Sequence, residues 1–587
     1  MPAMAVIGVD VGGTFTDAVL LADGRLHTAK VPTGPEQERS VVEAARLVLD
    51  AACAPPLERF AHGTTVATNA LLERKGARTA FVATRGFEHL LHLRRQDRAH
   101  LYRLDVDHPE PLVPLERCVG VDERIGPEGV VTPLDLSSLP EIDAEAVAVC
   151  LLFSFRDASH EQAVAAELRR RHPGTVVVAS HEVAPEFREY ERASTTTVDA
   201  YLGPLTTRYL TALGASAAEA GLPAPLVMRS SGGVAAIEEA AAHPALILLS
   251  GPAAGVVAAE RVAAESGVAN AIAFDMGGTS TDVCLIVRGR SGRSEGRNVA
   301  GLPIHVPMVD IHTVGAGGGS IAWRDRGGAL RVGPRSAGAA PGPACYGRRG
   351  EQATVTDANL LLGRLPERLP GGLELDRDAA ARALGDIDPS DIVDIVNAEM
   401  LRALRVVSVE RGHDPRDFAL VAFGGAGPLH ACALAEELGC AKVLVPDAAG
   451  VLSALGLVAS DTRRDAVRSY VVPLEEAGEL PGEGEASLRY RGQSFELTVD
   501  LGPELAQRFH GAHEDRYGYA DRTRPVELVA VRTTTVEPGP RLRLTGSRRG
   551  RHSGPELLEL DGATCWIADG WVGEADGSGT LVLERSP

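Results

Sequence analysis

The sequence predicts an α/β protein with two related lobes and a β-rich C-terminal part, on three observations. The pattern D-x-G-G-T-x-T-D stands at 10–17 and again at 275–282, 265 positions apart in a chain of 587 residues. Each copy leaves an apolar run (Ala5 to Val9, Ala271 to Phe274) and enters another (Ala18 to Leu21, Val283 to Ile286), which reads as strand, tight Gly-Gly turn, strand. Apolar runs of strand length then alternate with stretches of helical spacing, as parallel βαβ units do, until about residue 480, after which runs such as Ser494 to Val499 and Leu528 to Arg532 are β-like. A chain this long exceeds a single core. The expected division is a first lobe over 1–190, a second over 191–480 and a β-rich module over 481–587.

In chain order, the first hairpin is followed by Gln37 to Ala52, where Val41, Val42, Ala45, Val48 and Leu49 fall at helical spacing. His62, Thr64 and Thr65 then lie between a strand and a helix. A helix N-terminus there suits an anion, and a simple helix cap explains the threonines equally well. Residues 79–84 and 146–153 predict core strands, and the charged stretch Leu93 to Arg98 between them reads as a solvated loop. Leu246 to Val256 leads into a helix, with Gly251, Ala253, Ala254 and Gly255 small enough for close helix crossing. After the second hairpin, a strand at Val309 runs into Gly315 to Ser320, a glycine loop of the kind that lets backbone approach a ligand. His312 beside it is a candidate metal or phosphate contact. Val332 to Gly350, rich in Gly, Pro and Arg, predicts a lid or docking loop. Gly424, Gly425 and Gly427 form a strand, glycine turn, helix that fails the G-x-G-x-x-G dinucleotide fingerprint and suits an adenine and ribose lying on backbone.

Glycines at a hairpin turn accept positive φ and clear side chains from backbone N–H groups, which can then approach an anion. Asp10, Asp17, Asp275 and Asp282 would repel a polyphosphate unless a divalent cation intervened, so the repeated motif predicts bound phosphate and Mg²⁺ together. The candidate phosphate contacts are Gly12, Gly13, Thr14 and Thr16 in the first copy and Gly277, Gly278, Thr279 and Ser280 in the second, with Gly317 and Gly318. Asp10 and Asp275 are the candidate catalytic residues and, with His312, the candidate metal ligands. Only three lysines exist, Lys30, Lys75 and Lys442, and none completes G-x-x-x-x-G-K-[ST], which excludes that phosphate loop. A formal charge of −20 argues against nucleic acid and anionic membranes as partners. The eight cysteines include no C-x-x-C pair, no apolar run reaches about 18 residues, and no basic leader precedes the first strand; a cytoplasmic location is expected.

The order hairpin, small-residue helix, hairpin, glycine turn, small-residue helix resembles the actin-like ATPases, a superfamily that includes sugar and acetate kinases. It implies two lobes with duplicated ribonuclease-H-like βαβ domains. More specifically, GVDVGGTFTD (8–17), HGTTVATNALLER (62–74), SGPAAGV (250–256), FDMGGTSTDV (274–283), HTVGAGGGSIAW (312–323), GPACYG (342–347), VTDANLLLGRL (355–365) and AFGGAGPLHACALAEELG (422–439) resemble the A subunit of the hydantoinase/5-oxoprolinase family. That resemblance implies ATP-dependent hydrolysis of a cyclic amide, a hydantoin or a 5-oxoproline-like lactam, activated by phosphorylation of its oxygen. It also implies a B-type partner subunit in a hetero-oligomer. The ATP-binding subunit of a ketone carboxylase is the alternative within the family, and a nucleotide-dependent regulatory protein is the alternative outside it. The stretch after Arg543 is shorter than the family pattern leads one to expect, which bears on partner docking.

Overall fold

The computed structural model describes residues 5–13, 15–369, 372–540 and 550–586. Its first strands, β1 (Ala5–Val11) and β2 (Phe15–Ala22), are nearly continuous apolar runs interrupted by one carboxylate each, and they pair antiparallel with Asp10 opposite Asp17. β3 (Arg25–Pro32) pairs with β2, and β4 (Leu57–Thr64) runs parallel to β1 on its other side. The helix Gln37–Ala51 covers this unit through Val41, Ala44, Ala45 and Val48.

The repeat in sequence becomes a repeat in structure. β5 (Ala271–Met276) and β6 (Thr281–Val287) pair antiparallel with Asp275 opposite Asp282. β7 (Ile311–Val314) lies beside β6 as β3 lies beside β2, and β8 (Ala419–Phe423) runs parallel to β5 as β4 does to β1.

Each four-strand unit sits in a larger sheet. The first has ten strands, in which β3, β2, β1 and β4 are continued by Pro225–Met228, Val234–Ala236, Thr462–Pro473, Val526–Glu537, Glu485–Tyr490 and Leu497–Asp500. The second continues from β8 through Lys442–Val445, Leu581–Arg585 and Trp571–Ala575 to Arg551–Ser553. The part beyond residue 480 is β-rich as expected, yet it is not a separate module. Strands leave no free-standing edge when they can extend an existing sheet, and here they divide between the two lobes. A further sheet of five strands is inserted in the first lobe, and four of them (Cys118–Gly126, Thr79–Thr84, Ala146–Cys150 and Val176–Ala179) are parallel, as the alternation predicts.

Two helices cross between the lobes, α1 (Ser250–Glu265) and α2 (Leu452–Ala459). The small residues at 250–256 open α1 itself instead of leading into it. Their contact is backbone to backbone: a methyl group at Gly456 would lie 1.9 Å from the Ala254 carbonyl oxygen, and one at Gly8 2.4 Å from that of Ala454. One apolar core therefore runs from β1 and β2 through both helices to β5, β6 and β8. Among the described residues no helix is long and apolar enough to cross a membrane, and none of the eight cysteines forms a disulfide.

Candidate functional site

Asp10 and Asp275 occupy equivalent strand ends beneath equivalent turns. Gly12 N–H donates to the Phe15 carbonyl at 2.9 Å, and Gly277 N–H to that of Ser280 at 3.1 Å. The tips, Gly13 in one turn and Gly278 and Thr279 in the other, are exposed, while Gly12, Gly277 and Ser280 are half-buried. Thr14 lies outside the described residues. In both copies the neighbouring parallel strand supplies a glycine that makes room for the carboxylate. A methyl at Gly63 would stand 2.5 Å from Asp10 Oδ1, and one at Gly424, whose φ is +79°, 2.2 Å from Asp275 Oδ1 and 2.6 Å from the Met276 carbonyl.

The two sites face each other across the first turn of α1. A methyl at Gly251 would lie 3.5 Å from Asp10 Oδ1. Gly255, one turn further along, packs on Phe423, with 2.8 Å from a methyl there to Cε2, and Phe423 is the strand partner of Asp275. Asp275 feels Asp10 accordingly. Burial pushes Asp275 up to about 8, with Asp282 and Asp10 adding to it. Burial pushes Asp10 up to about 7, with Asp17 adding and Lys30 opposing. Asp17 forms an ion pair with Lys30, its partner in β3, whereas Asp282 accepts a hydrogen bond from Thr313 Oγ1 at 2.6 Å.

Several expected contacts turn out to hold the turns from behind. Gly318 and Gly319 N–H groups donate to the carbonyls of Gly277 and Gly278 at 3.0 and 2.7 Å, and Gly317 N–H to Ser320 Oγ at 2.9 Å. Those donors brace the second hairpin and are spent, which corrects the assignment of Gly317 and Gly318 to phosphate. Thr16 is buried, and its hydroxyl binds that of Thr33, which donates to the Gly12 carbonyl at 3.0 Å. It supports the turn from below and does not face the cleft. Gly424 serves Asp275, and Gly427 opens the helix Gly427–Leu438 against β5. Of that trio only Gly425 has open space around it. The segment 332–350 also packs down here: Ser336 Oγ donates to the Gly278 carbonyl at 3.4 Å and Ala337 N–H to that of Gly319 at 2.9 Å.

Neither histidine joins the site. His312 pairs opposite Val283, one position from the Asp282–Thr313 pair. Successive side chains alternate across a sheet, so it stands on the face opposite Asp275, its basicity lowered by burial and by Arg297 and Arg411. This corrects its candidacy as a metal ligand. His62 is fully buried, bound to the Val9 carbonyl at 3.0 Å and Tyr209 Oη at 2.8 Å, and burial pushes it down to about 4, so it is a neutral core residue.

A divalent cation fits what remains. Asp10 Oδ1 is sealed from solvent without a hydrogen-bond partner, a state costly for a carboxylate unless a cation compensates it. Among the described residues no group of three or more His, Cys, Asp or Glu side chains forms a cage. A cation here would take its other ligands from phosphate oxygens and water, which is the habit of Mg²⁺. The sequence reading missed Lys30, Gly63, Gly251 and Thr313. The rarity of lysine singles out Lys30, while the two glycines and Thr313 depend on pairings between distant segments.

The hydantoinase/oxoprolinase family pattern matches residues 192–466, and that of the family's N-terminal region matches residues 6–172. The caprolactamase subunit alpha of Pseudomonas jessenii is 36% identical over 90% of this chain and 86% of its own length. The acetophenone carboxylase gamma subunit of Aromatoleum aromaticum is 35% identical over 86% of this chain and 74% of its own. The crystal structure of the ATP-dependent caprolactamase from Pseudomonas jessenii superposes with a TM-score of 0.86 at 31% identity, covering 99% of this chain and all of that one.

Proposed function

The chain belongs to the hydantoinase/oxoprolinase family, and from that premise we propose that it is the ATP-binding subunit of an enzyme that opens a cyclic amide at the expense of ATP. The observation that carries the proposal is the pair of carboxylate-and-glycine hairpins facing each other across α1. Likeness to a caprolactamase subunit supports the choice of a lactam.

An unactivated amide is a poor electrophile. Transfer of the γ-phosphoryl group to the amide oxygen converts that oxygen into a leaving group and leaves ADP. Attack of one water on the carbon, with cleavage of its bond to nitrogen, which takes up a proton, leaves the ring-opened amino acid as an acyl phosphate. A second water releases phosphate, so the sum is ATP, lactam and two waters to ADP, phosphate and amino acid. The exposed tips at Gly13, Gly278 and Thr279 hold the phosphates through backbone donors, while the N–H groups of Gly12 and Gly277 are spent closing the turns. Asp10 and Asp275 would hold Mg²⁺, which when bound supplies neutralisation of phosphate charge. Of these two, the carboxylate nearer the acceptor orients it, and placement is most of what phosphoryl transfer asks of a protein. A partner subunit belongs to the reading, since the two relatives named above are subunits of larger enzymes.

The test is phosphate release by the chain with and without a B-type subunit, in the presence of caprolactam, 5-oxoproline, hydantoin, or a ketone with bicarbonate. Stimulation by a lactam is expected, and ring-opened product should equal phosphate released. Stimulation by the ketone alone would give the protein to the second reading, a ketone carboxylase, which the likeness to the acetophenone carboxylase gamma subunit favours. No stimulation by any of them would leave a nucleotide-dependent regulator.

A further inference from the structure

The three most exposed large apolar side chains among the described residues fall within four positions of each other: Leu101 at 73%, Tyr102 at 91% and Leu104 at 82%. They cap a loop whose neck is tied. Arg94 Nη2 donates to the Pro109 carbonyl, and His108 Nε2 to that of Asp97 at 3.0 Å. The loop is further fixed to the body by Arg95 on Glu191 at 2.6 Å and by Arg74 on the Glu110 carbonyl at 2.8 Å. A compact loop closed at its neck ordinarily packs its own side chains inward. This one turns its apolar residues out, and a contiguous apolar surface presented on a fixed support marks a docking site.

We propose that residues 98–104 form a tongue that inserts into an acidic-rimmed apolar groove on an unlike partner subunit. This rests on the reading of the chain as one subunit of a larger enzyme. Two features choose that occupant. At the tip Arg103 is paired with Asp105 at 2.7 Å, which leaves Arg98 as the cation without an acidic partner among the described residues; in a chain of net charge −20 it fits an acidic rim. A projecting tongue is also not self-complementary: docked on a second copy it makes a head-to-tail contact that closes only as a ring or runs on as a filament, and two bodies of −20 repel at long range. Tyrosine and arginine on a fixed support, flanked by leucines, are the residue types that dominate binding energy at interface centres.

The experiment co-expresses the full chain with the hydantoinase B-type chain of the same genome and measures the Kd of the purified pair, for wild type, for Leu101→Asp/Tyr102→Asp/Leu104→Asp, and for Tyr102→Ser. The triple variant should weaken the complex by about 100-fold or more and the single variant by about tenfold. The isolated triple variant should keep its circular dichroism spectrum and its basal ATP turnover, since none of these residues touches the hairpins. A triple variant that binds as tightly as wild type overturns the proposal. So does a wild type that ignores the B-type chain but loses self-association in the triple variant, which would assign the tongue to a second copy. A complex that forms through the tongue yet responds to no lactam and no ketone would leave the docking assignment standing and remove the proposed chemistry instead.

Discussion

The two hairpins share strand order, turn closure and a carboxylate pressed against a glycine, and they differ in what stands behind the second aspartate. In the first, Asp17 meets Lys30. In the second, Asp282 accepts a hydrogen bond from the Thr313 hydroxyl and feels Arg297 without an ion pair. One cation where the copy has a neutral group makes the halves electrostatically unequal. Lys30 opposes the rise at Asp10, whereas no cation opposes the rise at Asp275, to which Asp282 and Asp10 both add. Duplication supplied two similar walls, and an ion pair to an outer strand, present in the first and absent from the second, is one difference between them.

The strongest way to break this comparison is to remove the carboxylates. Asp10→Ala and Asp275→Ala should each lower kcat for ATP by about 10²–10³-fold or more with the fold retained. Unimpaired turnover in either variant would remove that wall from the site. Next come the glycines. Gly424→Ala must accept a φ of +79° and a clash with the Met276 carbonyl, whereas the Gly63 methyl meets only a side-chain oxygen. Chemical denaturation should show Gly424→Ala costing about 2–4 kcal/mol and Gly63→Ala clearly less. Equal costs would mean that the two glycines do not differ as their backbones imply.

The third prediction concerns pH in the nucleotide-free protein. Both carboxylates hold their protons more tightly folded than at the ordinary value of 3.8, to about 7 and about 8. Their favourable contribution is complete below about pH 4 and is lost as pH rises through those two values. Asp275→Asn, which cannot ionise, should therefore melt a few degrees above wild type at pH 9, with the gap closing toward pH 4. A gap that widens in acid would reverse the assignment. The smallest effect sharpens the comparison most: Lys30→Met should cost about 1 kcal/mol and move the first hairpin's stability–pH profile upward toward that of the second, whereas Thr313→Val, which removes no charge, should leave the second hairpin's profile closer to where it was.

What the sequence made legible was local. A Gly-Gly turn between two apolar runs, with a carboxylate at each strand end, is complete within ten residues, so both hairpins were readable as such. The small residues of α1 and α2 were readable because backbone contact requires them. Gly317, Gly318 and Gly424 misled for a physical reason: a glycine that yields to a ligand and one that yields to a neighbouring backbone look alike until the neighbour is known. Thr16 was within reach, since strand alternation puts it on the face opposite Asp17. His312 was not, because its face depends on how β7 registers against β6. The division of residues beyond 480 between two sheets involves pairings such as Val443 with Leu583 and Arg463 with Val536, which no local pattern announces.

That division bears on how the protein is made. The strand Leu581–Arg585 lies beside Lys442–Val445, and the first lobe's sheet likewise waits for Val526–Glu537 to cover Thr462–Pro473. At ribosomal rates of about 5–20 residues per second, roughly half a minute or more separates the synthesis of β1 from that of the last strand of the second sheet. Late in that interval, between the synthesis of Lys442–Val445 or Thr462–Pro473 and that of its covering strand, each sheet presents an uncovered edge. The nascent chain thus has its longest exposure to mispairing where it is most β-rich, and a holding chaperone or an early-bound nucleotide would act on a half-built cleft before either lobe is finished.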